Sequence, residues 1–91
     1  MRDVTALAPF HLHRGKACAA LGRTPEAIQA FRDGLGHESD TGTRTRLLVE
    51  LGSRLSGLER IENLEAAISL NGDLVAAAMA RVMLQHASQW N

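Results

Sequence analysis

The sequence predicts an all-α chain on three observations. Strand vocabulary is nearly missing: two Phe, one Trp and no Tyr stand beside abundant Ala, Leu, Arg and Glu. Apolar residues recur at helical spacing, as in Ala27, Ile28, Phe31 and Leu35. Helix stop and start signals alternate along the chain, dividing it into about five helices that pair as antiparallel helix-turn-helix units.

The first helix is expected to start at Pro9 and run to Leu21, with Phe10, Gly15, Ala17, Cys18 and Leu21 mostly on one side. Leu21-Gly22 then closes it, because Gly accepts the left-handed conformation that lets the final carbonyls find donors. Thr24 is placed to cap the next helix, with Pro25 at its first position and Glu26 favourable at the positive end of the dipole. This second helix is expected from Pro25 to Gly34 or Gly36, Gly34-Leu35-Gly36 acting as its stop. A turn this short forces the two helices antiparallel. A third helix, Thr43 to Leu55, carries Leu47, Leu48, Leu51 and Leu55. Ser56 and Glu59 form a capping box that opens a fourth. Asn71-Gly72 ends it, and Asp73 caps a last helix, Leu74 to Ala87. The alternative is one long helix from Arg44 to Leu70, in which Gly52 and Gly57 would each cost about 1 kcal/mol relative to Ala.

Composition narrows the function. Ninety-one residues with 45% hydrophobic content read as one small domain, 1–91, of marginal stability unless a partner or further repeats share the burial. Ten basic and ten acidic residues cancel, so neither nucleic acid nor an anionic lipid surface is an expected partner. A single cysteine forms no internal disulfide, Met1 to Phe10 lacks the apolar core of a signal peptide, and Arg81 interrupts the longest apolar run; a cytoplasmic chain without membrane spans is expected.

Chemistry is sparse as well. His11, His13 and Cys18 are the one set that suggests a metal, but residues two apart on a helix point in widely different directions, whereas paired ligands usually sit four apart. His11 reads better as a packing residue, His13 as solvated and Cys18 as a buried small side chain; His37 and His86 read as exposed loop or helix-end residues. Neither a metal nor a cofactor is expected. Cys18 is not at a helix start that would lower its pKa, and no nucleophile elbow, phosphate loop or carboxylate pair occurs, so no enzyme activity is expected.

Internal repetition points elsewhere. Ile28, Phe31, Gly34 and Leu35 are echoed thirty-three residues later by Ile61, Leu64, Ala67 and Ile68. The stretch Gly15 to Leu35, GKACAALGRTPEAIQAFRDGL, resembles the tetratricopeptide repeat (TPR): a small residue at Gly15, Gly22 at the turn, Ala27, Phe31 in the aromatic slot, then Gly34 and Leu35. His11 and Arg14 take slots that usually hold bulky apolar residues. The second copy is degenerate, with Leu48, Leu55 and Arg60 where Gly15, Gly22 and Ala27 would recur.

The resemblance implies a right-handed superhelix of about two repeats, 8–39 and 41–72, closed by a capping helix at 73–88, and open to being a piece of a longer array. It also implies a non-enzymatic protein-protein interaction module, or scaffold, that holds a protein or peptide on its concave face. Leu12, His13, Lys16, Ala19 and Ala20 would line that face from the first pair, and Thr45, Arg46, Val49 and Ser53 from the second. Lys16 and Arg46 are the candidate carboxylate contacts. The Lys-and-Asn clamp of some family members is not reproduced, since Leu12 takes its Lys place and Lys16 its Asn place. The alternative function is self-assembly. LVAAAMARVML, Leu74 to Leu84, is apolar on nearly every side, and Met79 and Met83 would serve a homodimer or a following repeat.

Overall fold

The computed structural model describes residues 7–90, with side chains from Phe10 to His86. Among these residues are five helices and no strand: α1 (Leu7–Ala20), α2 (Thr24–His37), α3 (Thr41–Arg54), α4 (Gly57–Leu70) and α5 (Leu74–Trp90). The leader expected to be missing from Met1 to Phe10 falls mostly outside the described residues. Helix starts recur at a near-constant step, 34 residues from α1 to α3 and 33 from α2 to α4 and from α3 to α5.

Local chemistry sets the breaks between helices. Gly22 is left-handed at φ 79°, and after it the Arg23 and Gly22 N–H groups reach back to the Cys18 and Ala19 carbonyls at 2.8 and 3.0 Å. Gly57, at φ 63°, cannot lie inside a continuous helix, so the long-helix alternative over 44–70 is excluded and the chain turns at Leu55-Ser56. Asn71 ends α4 in the left-handed region at φ 48°, and Asp73 Oδ1 accepts from the Ala76 N–H at 3.0 Å to cap α5.

Several expected boundaries shift. Thr24 is the first residue of α2 and its hydroxyl does not cap; Arg23 holds the cap position without a side-chain bond, and Pro25 supplies the start. Gly34 and Gly36 do not stop α2, which continues to His37 because Gly34 is buried against α3 and stabilised there by packing. Ser56 is the N-cap residue of α4, but the capping-box bond to its side chain is not formed. α3 starts at Thr41 rather than Thr43, capped by Asp40, whose Oδ2 accepts from both the Thr43 N–H at 2.9 Å and the Thr43 hydroxyl at 3.0 Å. These bonds favour the charged carboxylate and hold Asp40 below its usual pKa of 3.8. At the other end α5 passes Ala87 and reaches Trp90.

Glycines set how closely each helix pair approaches. A Cβ on Gly15 of α1 would overlap the Phe31 ring of α2, with two ring carbons at 2.6 and 2.7 Å. A Cβ on Gly52 of α3 would lie 2.6 Å from Cδ2 and 2.7 Å from Cγ of Leu64 in α4. The second pair therefore has its close approach at Gly52, not at Leu48, the position that corresponds to Gly15. Leu48 instead faces the core with Val49, Leu64, Ala67, Ala76 and Ala80. A second cluster, Leu12, Ala27, Phe31, Leu47 and Leu51, fills the space between α1, α2 and α3, and Leu35 packs against both clusters.

Helix α1 buries only part of the side expected, Gly15 and half-buried Cys18, and adds Leu12. Leu12 and Gly15 are buried, whereas Phe10 and Leu21 are 55% and 71% exposed and Ala17 is exposed. Arg14, at a position where the resemblance implies a bulky apolar residue, is exposed and pairs with Asp33 at 3.1 Å.

Each helix packs against the next in the chain, and α3 also touches α1 and α5. The result is a slab of 50 × 28 × 18 Å rather than a closed bundle. One polar tether fixes the fourth connection: fully buried Thr45 donates its hydroxyl to the Thr41 carbonyl at 2.7 Å and accepts from the Gly72 N–H at 2.9 Å.

Candidate binding groove

The first helix of each unit contributes one wall of a shared depression. A cavity of about 420 Å³ opens between α1, α3 and α5, lined by Leu12, His13 and Lys16, by Thr43, Arg46, Val49 and Glu50, and by Asp73, Val75, Ala76 and Met79. Helical register explains this convergence: Leu12, Arg46 and Met79 are each the sixth residue of their helix. Equivalent positions on stacked helices point the same way, so the depression runs across the slab.

Of the nine residues expected on the concave face, five, Leu12, His13, Lys16, Arg46 and Val49, lie on this one cavity. Leu12 and Val49 form an apolar floor, 6% and 4% exposed, while His13, Lys16 and Arg46 stand exposed at its edges. Thr45, also expected on this face, is instead buried in the tether to Gly72. Ala19 packs toward the α1/α2 cluster, and the Ser53 hydroxyl bonds the Glu50 carbonyl at 2.8 Å. Met79 is 49% exposed and lines the groove, whereas Met83 is half-buried and packed against the core. The charge partners Glu50 and Asp73 and the α5 wall of Val75 and Ala76 escaped the sequence reading. The 33-residue step from Arg46 to Met79 was the signal that points to them, because it makes α5 a third groove helix and not only a cap.

The groove's charges are largely paired internally. Arg46 Nε lies 3.5 Å from Asp73 Oδ2, a link between α3 and α5. Glu50 pairs with Arg54 at 2.7 Å, and the Arg54 guanidinium also sits 5.3 Å over the Phe31 ring. Among the described residues Lys16 makes no ion pair. A second depression of about 360 Å³ follows the open side of α5, lined by Val75, Ala78, Met79, Val82 and Met83. Val75 and Val82 are 72% and 52% exposed there.

A polar cluster lies on the other side of α1. The His11 and His37 rings stack at 5.6 Å, and His11 Nδ1 is buried with no hydrogen-bond partner among the described residues. Burial lowers the His11 pKa below 6.5, helped by the nearby Arg14 and His37 charges and opposed by Asp33. Hydrogen bonds from Gln29 and Arg14 hold the Asp33 carboxyl below its usual value. Among the described residues no three His, Cys, Asp or Glu side chains converge to hold a metal ion, and no helix is long and apolar enough to cross a membrane. Comparison with protein families, with curated proteins and with solved structures gives no match to this chain.

Proposed function

We propose that this chain is a TPR-like, non-enzymatic interaction module that holds a peptide segment of a partner protein in the groove between α1, α3 and α5. The observation that carries this reading is the 420 Å³ cavity, built from equivalent positions on three successive first helices. Its apolar floor of Leu12, Val49 and Ala76 with polar groups at the rim suits a peptide with alternating apolar and polar character. Lys16 is the rim cation without an ion pair among the described residues and is the contact proposed for a carboxylate of the partner. The 33- and 34-residue steps, the Gly22 turn and the Gly15–Phe31 approach support the family resemblance that leads here.

The test is a random-peptide display selection on the 91-residue chain, followed by titration of the selected peptides against wild type and Lys16→Glu. Reversing an exposed charge at the contact should weaken binding about fivefold to tenfold. Peptides that bind both proteins equally would refute the groove as the site.

A second reading, self-assembly through α5, is favoured by the exposure of Leu74, Val75, Met79 and Val82 on one helix. Val82→Glu is its probe, since Met83 packs against the core and a charge there would disturb folding. Light scattering should then report a dimer for wild type and a folded monomer for the variant; a wild-type monomer at all concentrations removes this reading.

A further inference from the structure

The two depressions on α5 form one continuous surface. Val75 and Met79 line both the groove and the outer face, so an occupant of the groove that continues past Met79 arrives at Ala78 and Val82 without crossing a charged side chain. The charges on this path are unequal. Asp73 is engaged by Arg46 and Glu50 by Arg54, which leaves Lys16 as the groove charge with no ion pair among the described residues. At one end the surface asks for an anion, and at the other for apolar contact only.

We infer that the partner is a peptide segment with a carboxylate at one end of its contact and a block of bulky aliphatic side chains at the other. The carboxylate meets Lys16 on α1; the aliphatic block crosses Met79 and covers Val75 and Val82 on the outer face of α5. This inference rests on the groove reading and adds to it the order of the ligand's groups and a second contact area. Met79 suits the junction, because its unbranched thioether side chain adapts to whatever crosses it. A second copy of the chain fits less well: the one charged residue between Leu74 and Leu84 is Arg81, so an α5-to-α5 contact would offer no carboxylate to Lys16.

The experiment uses peptides from the display selection, titrated by fluorescence anisotropy against wild type, Lys16→Glu, Val82→Glu and Leu58→Glu. Leu58 is 69% exposed on α4, lies on neither depression and controls for added surface charge. Selected peptides should share an acidic residue followed at a fixed distance by Leu, Ile or Met. Val82→Glu should weaken them about tenfold, and replacing the peptide's aliphatic block by Ser should abolish that sensitivity while leaving the response to Lys16→Glu intact. Weakening by Lys16→Glu with no effect of Val82→Glu would overturn this inference and leave the groove standing. No effect of either variant would remove both. A wild-type dimer that Val82→Glu converts to a monomer would also overturn it, since a second copy would then cover the face.

Discussion

Gly15→Ala and Gly36→Ala are the same chemical change in two helices, and the structure predicts opposite signs. In a helix interior Ala is favoured over Gly by about 0.5–1 kcal/mol, because Gly loses more backbone freedom on folding. Gly36 lies in α2 with open space where its Cβ would go, so Gly36→Ala should stabilise the chain by up to about that amount, less some reduction for its place near the helix end. At Gly15 the added methyl overlaps the ring of Phe31, which is 0% exposed and packed among Leu12, Ala27, Leu47 and Leu51. Overpacking of this kind typically costs about 1–3 kcal/mol, which exceeds the propensity gain and leaves a net loss of about 1–2 kcal/mol. Gly34 is intermediate: its Cβ would sit 3.1 Å from His11 Cβ and from Leu47, so gain and cost should nearly cancel. With a Tm change of about 4–8 °C per kcal/mol for a domain this size, Gly36→Ala and Gly15→Ala should bracket wild type by more than 5 °C in total, roughly. Thermal and urea unfolding followed by circular dichroism would read this order. A Gly15→Ala protein as stable as Gly36→Ala would refute the claim that Gly15 sets the α1–α2 approach.

Thr45→Val keeps the volume but strips the acceptor from the Gly72 N–H; it should cost about 1–3 kcal/mol and speed hydrogen exchange at the Gly72 amide, while Thr45→Ser should spare that bond. Because burial holds His11 below 6.5, the unfolded chain binds more protons than the folded one between the two values. Stability is therefore fully present above pH 6.5 and falls as pH drops through the lowered folded value. Urea midpoints at several pH values should show this slope, and His11→Phe should flatten it; a wild-type midpoint unchanged across that range would contradict the assignment. Asp33 and Asp40, both depressed, keep their contributions through that window and lose them only as pH falls below 3.8 toward their folded values.

What the sequence made legible is what short-range chemistry decides. The turn at Gly22, the stop at Asn71 and the Asp73 cap each depend on a few neighbouring residues, and all three are found in place. The buried side of α1 was not legible, since Phe10, Ala17 and Leu21 are as apolar as Leu12 and only the approach of α2 at Gly15 decides which side is covered. Gly34 and Gly36 look like stops in isolation; packing of Gly34 against α3 overrides that tendency, while a Cβ on Gly36 would meet nothing. The α1 and α3 walls of the groove were legible only through the family resemblance, which implies which positions of each first helix face inward. The α5 wall was not, because a helix treated as a cap offers no register to extend.

The displacement of the second glycine has a consequence that a double-mutant cycle can test. Phe31 and Leu64 are each the eighth residue of their helix, but Gly15 is the ninth residue of α1 and Gly52 the twelfth of α3. The close approach in the second pair has thus moved about one helical turn toward the connecting loop, which leaves room in mid-helix for Leu48 and Val49 to pack against α4 and α5. If Gly52 is required because Leu64 lies against it, removing the Leu64 side chain should relieve the clash made by Gly52→Ala. Leu64→Ala alone should cost about 2–5 kcal/mol and Gly52→Ala alone about 1–2 kcal/mol net. The double variant should lose less than their sum by about 0.5–3 kcal/mol, the range expected for residues in contact. Gly52→Ala combined with Gly15→Ala, in separate helix pairs, should instead add. Urea unfolding in a stabilising osmolyte keeps the weakest variant folded at the start of the titration. Strict additivity of Gly52→Ala with Leu64→Ala would mean that the small residue is needed for another reason, and that the shifted approach is not what lets Leu48 and Val49 form the core behind the groove.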